Sequence, residues 1–224
     1  MKFNLIDIDN WDRKPYFEHY LNAVTCTYSI TANIEITKLL QEIKVKKLKL
    51  YPTLIYIITT VVNNHKEFRT CFDENGNLGY WESMSPSYTI FHKGNETFSS
   101  IWTEYDEGFS RFYNEYIYDI KKYENVREFF PKLNEPSNTF PISSIPWVSF
   151  TGFNLNVYND GRYLIPIFTF GKYFEQNNKI FIPLSVQVHH AVCDGYHTSR
   201  FINEVQELAL NSKEWLDIND KLNS

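Results

Sequence analysis

The sequence predicts a two-layer α/β sandwich in which a mixed β-sheet packs against helices. Two observations carry that expectation. Helical spacing of apolar residues dominates the first half of the chain, and alternating apolar runs separated by turns dominate the second. A third bounds the organisation: with no repeats, Ser/Gly linkers or low-complexity tracts, residues 1–224 read as one domain, the last ~10 residues forming a loose tail.

Taken in order, "NIEITKLLQEIKVKKLKL" places Ile36, Leu39, Leu40 and Ile43 at helical spacing, with Thr31 or Asn33 as the cap. Pro52 then opens a strongly apolar helix over residues 52–67, because proline is tolerated in a first turn. "FDENGNLGYW" sets Asn75-Gly76 between two strands, a hairpin signal. "PSYTIFH" alternates and stops at Lys93-Gly94-Asn95, which reads as a further strand. The segment from "EYDEGF" to "VREFF" is helical through Phe109, Phe112, Tyr116 and Ile120. Proline punctuation makes residues 131–146 a loop. "PWVSFTGFNLNVY", "RYLIPIFTFGKYF" and "NKIFIPLSVQVHH" then read as three successive strands. A final helix covers residues 194–210, with Phe201, Ile202, Val205 and Leu208 on one stripe.

Bulk properties exclude several classes. A formal charge of −5 offers no overall attraction to nucleic acid or anionic membranes. Three separated cysteines, Cys26, Cys71 and Cys193, make neither a disulfide framework nor a paired metal site. No secretory leader pattern is visible at the N-terminus, and the expectation is a cytoplasmic protein. An aromatic content of 17% suits a large core, a pocket or a subunit interface.

The densest chemistry lies in "SVQVHHAVCDGYHTSRF". Ile182, Leu184, Val186 and Val188 share one strand face, and His190 would continue it to emerge before a turn, where α/β folds place functional groups. Asp194 has two readings, a helix N-cap and a carboxylate supporting a histidine base. His189 reads as structural, His197 as an exposed or interface residue, and Cys193 as a buried filler. A metal reading is the weaker one, since His190, Asp194 and His197 lack a metal-ligand spacing.

"HHAVCDG" resembles the HHxxxDG signature of CoA-dependent acyltransferases, shared by chloramphenicol acetyltransferases and dihydrolipoyl acyltransferase catalytic domains. "NWDRKPYFEHY", "YPTLIYIITTVVN", "FHKGNETFS", "ISSIPWVSFTGFNLNV" and "PLSVQVHHAVCDGYH" are similar, in that order, to the chloramphenicol acetyltransferases, and the likeness spans residues 3–210. That resemblance implies a chloramphenicol acetyltransferase-like fold and acetyl transfer from acetyl-CoA, a co-substrate, to a hydroxyl of chloramphenicol, with no permanently bound cofactor or metal. It implies His190 as general base, its other ring nitrogen held by the residue's own carbonyl, and Asp194 as a structural carboxylate paired with Arg13. Ser143 becomes the oxyanion donor, with Ser144 where relatives carry alanine. Tyr20, Tyr28, Phe98, Phe153, Leu155 and Val157 fall at acceptor-pocket positions, with His19 beside Tyr20 as a departure. Tyr51, Trp147, Thr169, Tyr173, Lys49 and Lys172 fall along the CoA path. The family's trimeric assembly implies active sites between subunits. Two rivals remain at this point: an acyltransferase of the same fold with another acceptor such as lipoamide, and a non-catalytic binding protein.

Overall fold

β10 (Lys179–His189) is the strand around which the other elements are arranged. In this computed structural model, which describes residues 1–155, 157 and 160–216, both faces of β10 are buried from Ile182 to His189. β2 (Thr27–Glu35) pairs antiparallel along one edge, from Phe181 opposite Glu35 to His189 opposite Thr27. β9 (Phe174–Gln176) and β8 (Ile167–Phe170) pair in succession along the other edge. Pro183, which has no N–H to give, falls in the gap between them. β8, β7 (Thr139–Ser144) and β5 (Ser85–His92) run parallel, and β6 (Thr97–Trp102) closes the sheet antiparallel to β5. The order is β2-β10-β8-β7-β5-β6, a mixed sheet as expected. A small second sheet has the order β1 (Phe3–Leu5), β4 (Leu78–Trp81), β3 (Thr70–Phe72).

The helices are α1 (Lys14–Glu18), α2 (Thr37–Val45), α3 (Leu50–Asn64), α4 (Phe109–Tyr123) and α5 (Gly195–Leu210). α5 lies on β2, α2 on β10 and α3 on β5, while α3 also packs against α4 and α5. α3 is accordingly buried nearly all round. Its Thr53 and Thr59 hydroxyls donate back to Lys49 O and Ile55 O, which satisfies polar groups inside the layer. The sheet's two faces follow from its register. Tyr88, Ile142, Phe168 and Val186 form one row across four strands and are all buried toward the helices. Phe168 stacks on Phe201 of α5 with ring centroids 4.9 Å apart. The next row, Ser143, Thr169, Ser185 and Thr31, is polar and faces the opposite way.

The β3–β4 hairpin is as expected: Gly76 takes a positive φ of 80° at its tip, and the Asp73 carboxylate accepts the Asn75 and Asn77 amides. Other boundaries differ from the sequence reading. Thr31 and Asn33 cap no helix; they lie in β2, whose period-two pattern pairs with β10, and α2 starts at Thr37. The apolar helix spans Leu50–Asn64, and a short 3₁₀ turn, Lys66–Phe68, follows it. Residues 131–146 are not all loop, because β7 lies inside them with Phe140 and Ile142 buried. Pro141 is tolerated there since pairing with β8 begins only at Ile142. "PWVSFTGFNLNVY" forms no strand among its described residues. Its backbone bonds to side chains of β10 instead: Phe153 O accepts Ser185 Oγ and Leu155 N donates to Gln187 Oε1. In "RYLIPIFTFGKYF" only Ile167–Phe170 is strand before β9. On α5 the fully buried stripe is Thr198, Phe201, Val205 and Ala209, with Ile202 and Leu208 at its margin. The expected C-terminal tail lies mostly outside the described residues.

Candidate active site

His190 stands one residue beyond the end of β10 and only partly continues its apolar face. Its N–H donates to Cys26 O at 2.8 Å. The chain then turns tightly, with the amides of Val192 and Cys193 both on His189 O at 3.1 Å. Asp194 ends the turn as the N-cap of α5. Its carboxylate accepts the Tyr196 amide at 3.1 Å, and its own N–H donates to His197 Nδ1 at 3.2 Å. The N-cap reading of Asp194 holds, and its second oxygen accepts Arg13 Nη1 at 3.0 Å, which is the pairing the resemblance implied.

Arg13, just ahead of α1, binds the whole turn. Besides Asp194 it donates from Nε to Ala191 O at 2.8 Å and from Nη2 to His190 O at 2.9 Å. A planar guanidinium has the fork of donors this requires; a lysine does not. Burial pushes the Asp194 carboxyl up, but the Arg13 hydrogen bond, the His197 charge and the Arg13 charge together hold it below the ordinary carboxylate range.

The His190 ring stacks on Tyr20, with centroids 3.9 Å apart and planes 7° from parallel, and meets Tyr28 edge-on at 5.3 Å. The Tyr28 hydroxyl is engaged with Thr198 Oγ1 at 2.7 Å, and burial pushes its pKa up to about 12. Tyr28 thus supports the imidazole from the helix side. The expected bond from the ring to the residue's own carbonyl is absent: Arg13 takes that carbonyl, and His190 Nδ1 is buried with no hydrogen-bond partner among the described residues. Stacking and enclosure orient the imidazole instead. His189 is buried, accepts the Ala191 amide at Nδ1 (3.1 Å) and is lowered in pKa by that burial, as a structural histidine. Burial likewise pushes the Cys193 thiol well above its ordinary value, which removes it as a nucleophile.

Ser143 belongs to a different place. It lies in the polar row of the sheet, its Oγ 2.9 Å from Thr169 Oγ1 on the neighbouring strand. Thr169 is buried there and lies off the cavity described below. Ser144 points to the other face. Around Ser143's face gather Phe98, paired across strands with Phe91, and Trp147, whose ring meets Phe91 at 4.7 Å. Phe153 and Leu155 lie over Ser185 and Gln187 on that side, and Val157 is 39% exposed. The six acceptor-pocket positions therefore split into two groups, Tyr20 and Tyr28 at His190 and Phe98, Phe153 and Leu155 on the Ser143 face, with Val157 following the latter in sequence. Ser143 is opposite Thr169, which is opposite Ser185, so His190 is two strands across and five residues along. At about 3.3 Å per residue and 4.8 Å per strand, the backbone positions of the two residues in one chain stand roughly 19 Å apart.

A cavity of about 320 Å³ opens at the end of β7, lined by Tyr51, Leu54, Ser144, Gly171, Lys172 and Tyr173 among others. It gathers three of the six CoA positions, Tyr51, Lys172 and Tyr173. Lys49 immediately precedes α3 beside it, and Trp147 is exposed on the Ser143 face. The Tyr51 hydroxyl donates to Ile142 O at 3.3 Å, and burial raises its pKa. A second cavity, about 400 Å³, lies behind the Arg13 clamp against Trp11, Glu67 and Tyr80, and His190 does not line it. Among the described residues no group of His, Cys, Asp and Glu could hold a metal, and no helix is long and apolar enough to cross a membrane. Sequence reading missed the Ser143–Thr169 pairing and the ring contacts of Phe91; strand parity carries both, once β7 is recognised.

An imidazole held in a clamped turn, a hydroxyl on a separate polar face and a cavity of about 320 Å³ at the end of β7 are compatible with transfer of an acyl group. Comparison with known proteins agrees. A sequence model described as chloramphenicol acetyltransferase matches residues 1–206. Chloramphenicol acetyltransferases of Clostridium butyricum and Clostridium perfringens are 75% and 76% identical over 217 and 216 residues, covering 97% and 96% of this chain and 99% of each relative. A solved chloramphenicol acetyltransferase superposes with a TM-score of 0.80 at 23% identity, covering 93% of this chain and all of that one. The cubic core of a pyruvate dehydrogenase complex shares the fold at a TM-score of 0.67 and 16% identity, over 85% of this chain and 84% of its own. With a family match across most of its length and such identities, this chain belongs to the chloramphenicol acetyltransferase family and is a CoA-dependent acyltransferase.

Proposed function

We propose that the chain transfers acetyl from acetyl-CoA to the 3-hydroxyl of chloramphenicol and so confers resistance to it. The names of its 75–76% identical relatives support the acceptor. The separation of His190 from Ser143 supports how it works. Reacting atoms must come within about 3–3.5 Å, and two groups roughly 19 Å apart in one chain cannot both serve one acceptor. His190 of one chain then meets the Ser143 face of its neighbour, and the assembly is a homotrimer with three interfacial sites. The unit is a single cytoplasmic domain needing no resident cofactor.

In the reaction His190 takes the proton from the acceptor hydroxyl as its oxygen attacks the thioester carbon. Ser143 donates a hydrogen bond to the oxygen that becomes negative. The tetrahedral adduct collapses, the C–S bond breaks, and the protonated imidazole returns its proton to the departing CoA thiolate. Thr169, donating to Ser143 Oγ, leaves the serine proton free to point at the oxyanion. Acetyl-CoA enters along the Tyr51, Lys172 and Tyr173 cavity, with Lys49 and Lys172 available to its phosphates. The acceptor's ring lies among Phe98, Phe153, Leu155 and Val157, and the Tyr20 phenol, free of partners among the described residues, is its polar anchor.

The test is thiol release from acetyl-CoA with and without chloramphenicol, for wild type and His190→Ala. Chloramphenicol-dependent release that disappears in the variant is expected. Folded wild type that releases no thiol with chloramphenicol would move the acceptor elsewhere; sedimentation showing monomers at full activity would overturn the shared site.

A further inference from the structure

Beyond the edge strand β6, residues 126–132 run as a strap fixed by polar contacts at both ends and aromatic at its crown. At the far end Lys132 Nζ donates to both Asp119 oxygens at 2.8 Å and to Trp102 O at 2.9 Å. Asp119 is buried and also accepts Thr103 Oγ1, so this end is built into the fold. At the crown Phe129 and Phe130 are about half exposed, with ring centroids 4.1 Å apart, and Phe129 meets Phe98 edge-on at 5.5 Å. Ser100 N donates to Phe129 O at 2.7 Å, a backbone bond that lays the crown against β6.

The near end depends on His92, a buried histidine at the end of β5. Its Nε2 lies 2.6 Å from Ser99 Oγ, which in turn reaches Glu128 O at 2.6 Å. Ser99 has one proton, so it donates to Glu128 O and accepts from His92 Nε2–H. That leaves Nδ1 as an acceptor, and Arg127 Nη1 donates to it. The chain from Arg127 through His92 and Ser99 to the strap backbone is complete only while His92 is neutral. Burial first and the Arg127 charge second hold His92 below the ordinary imidazole value. Arg127 is the only charge bearing on it among the described residues; Glu124 and Glu128 approach through backbone carbonyls, and Lys93 and Glu96 of the adjoining turn are exposed.

We propose that Arg127, acting through His92, is a positioning residue that holds Phe129, with Phe130 packed on it, against Phe98 and thereby sets the fit of the acceptor's aromatic ring. This deepens the acceptor reading above and rests on it. A proton on Nδ1 would turn the acceptor into a donor facing a guanidinium, so acid breaks the Arg127 link and loosens the near end, leaving the Ser99 Oγ contacts with Val126 O and Glu128 O to hold it. The CoA cavity, at the end of β7, is untouched by the strap.

The experiment compares wild type, Arg127→Met, Arg127→Lys and His92→Gln at pH 7.5 and 6.0, reading KM for chloramphenicol and for acetyl-CoA separately. Arg127→Met should raise the chloramphenicol KM by about fivefold to tenfold, the worth of one hydrogen bond, with acetyl-CoA KM unchanged. Arg127→Lys keeps a donor and should restore it. His92→Gln can accept and donate in the same places without titrating, so it should match wild type at pH 7.5 and lose the acid rise. An unchanged chloramphenicol KM in Arg127→Met, or an equal rise in both constants, overturns the proposal. Should wild type use a different acceptor, amide exchange at Ser100 decides: faster in Arg127→Met and not in Arg127→Lys supports the strap's dependence on Arg127, and identical rates overturn it.

Discussion

The two halves of the site are held by different means. His190 lies past the end of its strand, where no ladder fixes it, and the chain surrounds its turn with side-chain contacts: three donors from Arg13, a face-to-face Tyr20 and the Asp194 cap. Ser143 lies within β7, paired with Thr169 of β8, and asks little of other side chains beyond that threonine. A base that must present one particular nitrogen needs scaffolding, whereas a hydroxyl that only has to point out of a sheet is placed by register alone. Damage to the contacts that scaffold the His190 turn should therefore reach stability as well as rate, and loss of the imidazole itself or of the Ser143 hydroxyl should reach rate only.

The sharpest break is His190→Ala. If His190 is the general base proposed above, its loss should lower turnover by about 10² to 10⁴-fold. The melting temperature should hardly move, because the ring's buried Nδ1 has no partner to lose. Ser143→Ala should cost about a hundredfold in turnover with unchanged stability. Ser144→Ala, on the cavity side, should stay near wild type in turnover; an equal loss in both serine variants would show that register does not select the donor.

Arg13→Ala tests the scaffold directly. It strands the Asp194 carboxylate and frees two carbonyls of the turn. Because Asp194 is 38% exposed, the expected loss is about 2 kcal/mol, below the range for a fully buried pair. Turnover should fall together with the melting temperature. An unchanged melt would leave the clamp without a structural role.

The same pair has an acid signature. The folded-state pKa of Asp194 is lowered, so its contribution is present above the unfolded value, about 3.9, and is lost as pH falls through the lower folded value. The stability gap between wild type and Asp194→Asn, measured by urea midpoints, should be open at pH 6 and close below about pH 4. A gap that widens in acid would reverse the assignment.

How much of this was legible beforehand follows the same division. The clamp was legible through resemblance, since Arg13, His190 and Asp194 stand in two short stretches similar to family motifs; residue types alone gave Asp194 as a helix cap. The Ser143 region was readable only as a residue type. Prolines at 131, 136, 141 and 146 disguised β7 as loop, although Phe140 and Ile142 alternate as a strand should. The reverse error fell on "FNLNVY", whose alternation is real but where Phe153 O and Leu155 N bond to Ser185 and Gln187 side chains and no described residue is in a ladder. Pairing is a property of neighbours, and a single sequence does not name them. Thr31 and Asn33 show the same limit, as polar residues of a strand that read as helix caps until β10 lay beside them.

The finest test of the comparison is Thr169→Val. The substitution keeps the branched shape and the buried packing of β8 but removes the hydroxyl 2.9 Å from Ser143 Oγ. If Thr169 donates to that oxygen, its loss lets the serine hydroxyl rotate among other orientations, and turnover should fall by about fivefold to tenfold, the worth of one neutral hydrogen bond. The acetyl-CoA KM should not change, because Thr169 does not line the 320 Å³ cavity. A smaller fall than in Ser143→Ala is required by the geometry, since the donor itself remains. Wild-type turnover in Thr169→Val would mean that the strand alone orients Ser143, which makes the contrast with the scaffolded His190 turn complete.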